Sequence, residues 1–214
     1  NATGNDLVNT LTGNAGDNVA RDFKMAREEL DQWALESNQK AVAAIDLGKF
    51  KDGIVPLQVP VNGKTVAFDT DEGPRRDTTL EGLLALKPAF AASPELGFHT
   101  AGNSSQMSDG AAACVLMSEK AVKDTGVKPL GKLVGYNVAA SDPKYLGPAQ
   151  LVAIPRACEI AGIKVSDVGL FEINEAFASV AMLVVHELKI DPKKVNVNGG
   201  AIALGQPLGC TGAK

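Results

Sequence analysis

Aromatic residues make up only 5% of this 214-residue sequence, with one Trp and two Tyr. So few rings argue against an aromatic-rich sandwich, and the 22 glycines point instead to tight turns and close backbone packing. Imidazoles are as scarce. His99 and His186 are the only two, and the three cysteines (Cys114, Cys158, Cys210) are widely spaced with no CxxC among them. That pattern excludes a disulfide framework, a zinc site and a His/Cys metal cluster. Reduced cysteines fit an intracellular protein. Cys114 and Cys158 read as small buried hydrophobes. No apolar run reaches the roughly 18 residues a bilayer span needs. The longest, Ala176 to Val185, is interrupted by Ser179. There is no excess of positive charge either. The net charge is −4, which argues against a general binder of nucleic acid or anionic membrane.

What is present suits a globular chain. It is 45% hydrophobic and 21% charged, and its length allows burial of about 70% of the unfolded surface. The sequence begins at Asn1 and stops at Lys214 just after a glycine-rich turn, which reads as a piece of a longer protein.

Hydrophobic periodicity predicts a long amphipathic helix over 25–50, with Leu30, Ala34, Ser37, Ala41 and Ala44 on one face and Gly48 as its stop. Strands are expected at 54–59 and 64–68, joined through Asn62-Gly63, a strong hairpin signal. Pro56 would make the first an edge strand. The stretch 69–77 reads as charged, turn-rich and exposed. A capping box, Thr78 with Glu81, would open a short helix through Leu86. Residues 97–110 read as a loop of small polar residues. Beyond it, strands at 111–117, 132–139, 170–173 and 194–198 would alternate with helices at 118–124, 148–161 and 174–188. That order favours a helix-covered α/β sheet.

Three segments are more specific than a fold requires. TAGNSSQMSDG (100–110) is a run of small residues that would let a ligand approach the backbone. FEINEAF (171–177) would place Asn174 where a strand ends and a helix begins, the end of an α/β sheet where ligands bind. Asn174 also suits a helix N-cap, and Glu175 would complement the helix dipole. VNVNGGAIALGQPLGCTGAK (195–214) packs five glycines into the fourteen residues from Gly199 to Gly212. It matches neither G-x-G-x-x-G nor a Walker loop.

In this order and spacing, the three segments resemble the thiolase family over essentially the whole chain. REELDQWALES (27–37), DEGPRRDTTLE (71–81) and LKPAF (86–90) add to the match. The wording looks most like the 3-ketoacyl-CoA thiolases of fatty-acid degradation.

The resemblance implies a layered αβαβα fold, here an incomplete portion. Residues 1–107 would be most of the loop domain and 108–214 most of the C-terminal domain. It implies cleavage of a 3-ketoacyl-CoA by free coenzyme A, through an acyl-cysteine, to acetyl-CoA and a shortened acyl-CoA. Coenzyme A is then a substrate, with no permanently bound cofactor. A homodimer or homotetramer is expected, cytoplasmic in a bacterium and peroxisomal or mitochondrial in a eukaryote. The family's nucleophilic cysteine would lie upstream of Asn1 and its acid/base cysteine downstream of Lys214, so this piece by itself would be inactive. Cys210 would be structural.

By motif, Asn174 would hold a water that donates to the thioester oxyanion. Ala176 and Phe177 would line the pantetheine and acyl end. Ala101 and Ser105 would contact pantetheine, with Phe90 and Met107 packed beside it. Arg75 would lie near the nucleotide of coenzyme A. Two departures stand out. Gln206 occupies the family's histidine position. It can still donate an N–H bond, but it cannot stabilise a thiolate as an imidazolium does. Leu11-Thr12 departs from the His-Met pair of some short-chain biosynthetic members. Gln206 keeps open an alternative, a thiolase-like non-catalytic binder of coenzyme A or lipid, or a scaffold subunit. His186, near a helix end, reads as dipole complementation, and His99 as a loop residue.

Overall fold

The computed structural model describes residues 12–90 and 97–214. Leu11 of the Leu11-Thr12 pair lies outside the described residues.

The first element is one the periodicity did not suggest. Helix α1 (Thr12–Asp22) is glycine-rich and buries Gly13, Ala15, Gly16, Asp17, Val19 and Ala20. Two glycines in one helix lower its intrinsic propensity, so packing rather than propensity sustains it. Helix α2 (Arg27–Asp46) is the expected amphipathic one, trimmed at both ends. It buries Leu30, Ala34, Ser37, Ala41 and Ala44 as the pattern required. Gly48 follows at φ +68, a left-handed position past the helix end.

The hairpin forms with β1 (Leu57–Val61) antiparallel to β2 (Lys64–Phe68), Val59 opposite Val66. Asn62 and Gly63 both have positive φ, as a two-residue turn of this type demands. The first strand starts three residues later than expected, so Pro56 precedes it and Pro60 lies within it. Helix α3 (Leu80–Leu84) is capped by Thr79, not Thr78. Thr79 Oγ1 accepts from the Gly82 N–H at 3.1 Å, while Thr78 Oγ1 donates to Arg75 O. The cap moved one residue because the helix is shorter than the pattern implied.

The second half departs furthest from expectation. Residues 111–117 and 132–139 form neither strand nor helix and pair with nothing among the described residues. Cys114 is accordingly exposed rather than buried, as are Val115, Leu116, Leu130 and Val138. An apolar run fits a strand, but a strand exists only when a neighbour accepts its hydrogen bonds. Helix α4 (Glu119–Thr125) does form, with Ser118 accepting from the Ala121 N–H and Gly126 left-handed at its end. Helix α5 (Gln150–Ile160) also forms, buries Cys158 and ends before Gly162 at φ +74. The strands expected at 170–173 and 194–198 reduce to one parallel bridge, Phe171 to Val195, the latter preceded by a single 3-10 turn at Pro192–Lys194.

Helix α6 (Ala178–Glu187) is the centre of the molecule, with every residue from Ala178 to Val185 buried. A helix apolar all round must be covered on all sides. One side meets Val19 and Ala20 of α1, Leu30 and Ala34 of α2, Leu83, and Ile202 of α7 (Ala201–Leu204). The other meets Phe171, Ile173, Ile190 and Val195. The core is thus built jointly from the beginning and the end of the chain. His186 sits in the last turn of α6, where a partial positive charge suits the helix dipole. Among the described residues, no helix is long and apolar enough to cross a membrane.

Candidate functional site

Helix α6 begins four residues later than the sequence suggested, with Phe177 in the N-cap position and no side-chain cap. Asn174 is therefore not a cap. It lies in an irregular stretch between the Phe171 bridge and α6, and it is exposed.

Glu175 is also not a first-turn residue. It is 1% exposed, and its carboxylate accepts four hydrogen bonds. The donors are Trp33 Nε1 (2.9 Å), Ser37 Oγ (2.7 Å), Asn196 Nδ2 (2.8 Å) and the Ile202 N–H (3.2 Å). A buried charge persists only when its lone pairs are met in this way. Glu175 thereby ties α2, the 196 turn and α7 to the segment carrying Asn174. Gly200 is required beside it, since a Cβ there would stand 2.2 Å from the Glu175 carboxyl carbon. The signal for this role was in the sequence. Glu175 is the lone charge between Ile173 and Val185, and a lone charge in an apolar run needs partners.

The loop 97–105 is buried at its middle and tied down by a second carboxylate. Asp17 Oδ1 of α1 accepts from the Phe98 and His99 N–H groups and from His99 Nδ1 at 2.7 Å. His99 is fully buried, and its Nε2 has no partner among the described residues. Its ring lies edge-on to Phe177, with centroids 4.9 Å apart. Asn103 Nδ2 donates to the buried Asp31 at 2.7 Å, and Asp31 also pairs with Arg27. Asp17 and Asp31 were not singled out from the sequence, and Trp33 and Ser37 were read only as part of a helix face, because the partners His99, Asn103 and Glu175 are remote along the chain.

These supports bring the three segments together. The Ser105 N–H donates to Ala176 O and the Ala178 N–H to Asn103 O, both at 3.0 Å. Ser104 and Phe177 form an antiparallel bridge between those bonds. Gln106 Nε2 donates to Gly73, Ile202 and Ala203 carbonyls. Ser105 Oγ donates to Gln206 Oε1 at 3.1 Å. The rings of Phe90 and Phe177 meet edge to face at 5.6 Å. Ser105, Ala176, Phe177, Phe90 and Gln206 are thus joined by direct contacts. Arg75, Ala101, Met107 and Asn174 are exposed. Arg75 is held by its backbone N–H, which donates to Asn38 Oδ1.

The assembled groups are hydrogen-bond donors and acceptors beside an aromatic pair. Gln206 is half-buried and offers an amide but no titrating group. Cys210, four residues on, is buried. Glu172 is the one nearby carboxyl with a clear shift. Partial desolvation, and then the negative charge of Glu175, raise it above the ordinary glutamate value.

Comparison with known proteins identifies the family of the chain. Residues 4–120 fit the thiolase N-terminal domain and residues 127–214 the thiolase C-terminal domain. The 3-ketoacyl-CoA thiolase of Bacillus subtilis is 47% identical over 211 residues, covering 94% of this chain and 53% of that protein. The crystal structure of the Bacillus anthracis acetyl-CoA acetyltransferase superimposes with a TM-score of 0.86 at 43% identity, over 95% of this chain and 51% of that one. Human mitochondrial 3-ketoacyl-CoA thiolase gives 0.86 at 40% identity, over 94% and 50%. The chain spans about half the length of the relatives it matches. The fold is of the thiolase α/β type, and the chain belongs to the thiolase family.

Proposed function

We propose that the complete protein is a thiolase-type acyltransferase of fatty-acid degradation. It would use free coenzyme A to cleave 3-ketoacyl-CoA into acetyl-CoA and a shortened acyl-CoA, as the names of its relatives suggest. The observation that carries this reading is the junction at Ser105, which bonds both Ala176 and Gln206. In it, a cysteine thiolate supplied outside this chain attacks the 3-keto carbon. The bond to the α-carbon then breaks, and that carbon takes a proton from a second thiol to leave as acetyl-CoA. The acyl group then passes from cysteine to the sulfur of coenzyme A, whose thiol proton returns to the second thiolate while the first cysteine leaves as a thiolate.

This chain would contribute binding and charge stabilisation. Asn174, through a water, and the Gln206 N–H would face the developing oxyanion. Phe90, Met107, Ala176 and Phe177 would flank the pantetheine and acyl end. Ala101 and Ser105 would contact pantetheine, and Arg75 would lie toward the nucleotide. Coenzyme A is a substrate here and no resident cofactor is invoked. The loop domain would end near residue 107, and a homodimer or homotetramer inside the cell would be the working form.

Glutamine cannot take up a proton, so turnover should be slow. Replacing one such catalytic group typically costs about 10²–10⁴ in rate. The test is acetyl-CoA release from acetoacetyl-CoA and longer 3-ketoacyl-CoA by the complete protein, with and without Gln206→His. Detectable turnover that rises by at least about 10² in the variant supports the reading. No product from either form refutes it. Calorimetric binding of coenzyme A without turnover in either form would favour a non-catalytic binder, the second reading that Gln206 itself suggests. The 214-residue chain alone should release no acetyl-CoA.

A further inference from the structure

Gln206 is held firmly by its backbone and lightly by its side chain. Pro207 restricts the residue before it to extended backbone. Gly205 stands at φ +82, where a Cβ would lie 2.1 Å from Ser108 Oγ, so no other residue fits there. The Gln206 side chain then has three rotatable bonds, and Ser105 Oγ is its hydrogen-bond partner.

Ser105, by contrast, does not move freely. Its N–H is fixed to Ala176 O. Its neighbour Ser104 is buried, pairs with Phe177 and donates through Oγ to Thr100 O at 2.6 Å. On the other side, Gln106 is anchored by three carbonyls. The hydroxyl is presented from a rigid strip of backbone.

An amide has two ends of similar shape and opposite polarity. One attracts an oxyanion and the other repels it. Imidazolium has no such ambiguity, since both of its nitrogens donate. A glutamine used as an oxyanion donor therefore needs something to choose its end. In the arrangement observed, the Ser105 hydroxyl donates to Oε1, which leaves both Nε2 protons for another acceptor.

We propose that Ser105 is a positioning residue for Gln206, bonding Oε1 so that the amide N–H groups face the oxyanion site. The inference rests on the reading of Gln206 given under the proposed function. It makes the serine a counterpart of the His-to-Gln departure rather than only a ligand contact.

The test is a double-substitution cycle in the complete protein. Ser105→Ala should lower kcat about three- to tenfold, the worth of one neutral hydrogen bond, apart from any rise in KM that reports its pantetheine contact. Ser105→Thr, which keeps the hydroxyl, should restore kcat. In a Gln206→Leu background, where no amide remains, the fold-loss in kcat from Ser105→Ala should be distinctly smaller than in the Gln206 background. An equal loss in both backgrounds, or a loss confined to KM, overturns the proposal.

A second readout does not depend on turnover. In the glutamine-¹⁵N-labelled chain, the Gln206 side-chain NH₂ pair is identified by its disappearance in Gln206→Leu. Ser105→Ala should move that pair toward free-glutamine shifts and leave the other glutamines in place. An unmoved pair overturns the proposal. Absence of turnover in every variant, with the NH₂ pair moved as expected, removes the catalytic reading and leaves the Ser105–Gln206 coupling standing.

Discussion

At the scale of single residues, two neighbouring glutamates behave in opposite ways. Glu175 is buried among four donors and needs its charge. Glu175→Gln would turn an NH₂ either toward the Trp33 and Asn196 N–H groups or toward the Ile202 N–H, none of which can accept, and we expect a loss of about 2–4 kcal/mol in denaturant unfolding. A loss under about 0.5 kcal/mol would mean the donors find other partners. Glu172 is the reverse case. Desolvation and the Glu175 charge raise its folded-state value above the ordinary 4.5. The folded protein then holds that proton more tightly than the unfolded chain. The contribution of this one group to stability is therefore full below 4.5 and is lost as pH rises through the raised folded value. Glu172→Gln should raise the thermal midpoint at pH 7 and leave it unchanged at pH 3. A gain equal at both pH values would point to packing instead of charge.

At the scale of elements, helix α1 shows propensity yielding to packing. Alanine in place of a helical glycine ordinarily gains about 1 kcal/mol. At Gly16, though, a Cβ would stand 2.9 Å from the Phe177 ring, with His99 Cε1 at 3.4 Å. Both rings are buried and have little room to yield. Gly16→Ala should therefore destabilise the chain on balance, by about 1–3 kcal/mol in chemical denaturation. A stabilised variant would show that the ring shifts freely. Helix α3 offers a second check. Thr79→Ala should cost about 1 kcal/mol, and Thr78→Ala distinctly less, since only Thr79 accepts from the first turn. Helices with local signals were legible in the sequence for the same reason. Ser118 and Gly126 bracket α4, and Asn62-Gly63 turns the hairpin. α1 was not legible, because its glycines are explained only by the rings that lie on them.

At the scale of the whole molecule, a well-covered centre contrasts with two unpaired segments that carry exposed apolar side chains. Helix α6 is enclosed, whereas Val115, Leu116, Leu130, Leu133 and Val138 are exposed in the stretches 111–117 and 130–139. Exposed apolar surface promotes association where it gathers into a patch. The isolated chain should bind a hydrophobic dye and self-associate more as its concentration rises, as light scattering would measure. Charged substitutions at Leu116 and Val138 should reduce both. A monomeric, dye-silent chain would contradict the exposure of these segments.

The sequence by itself determined the family, the positions of α2, α4, α5 and the hairpin, and the three segments that form the site. Periodicity, caps and turn residues act over a few neighbours, so they can be read one stretch at a time. Only the tertiary structure decided that Asn174 is no cap, that Glu175 is a buried junction, and that Ser105 reaches Gln206. Those outcomes depend on groups far apart in the chain, up to 142 residues for the Trp33–Glu175 bond. It also decided that, among the described residues, four apolar runs form a single bridge and not a sheet. A strand is a relation between two segments, and sequence pattern describes only one of them.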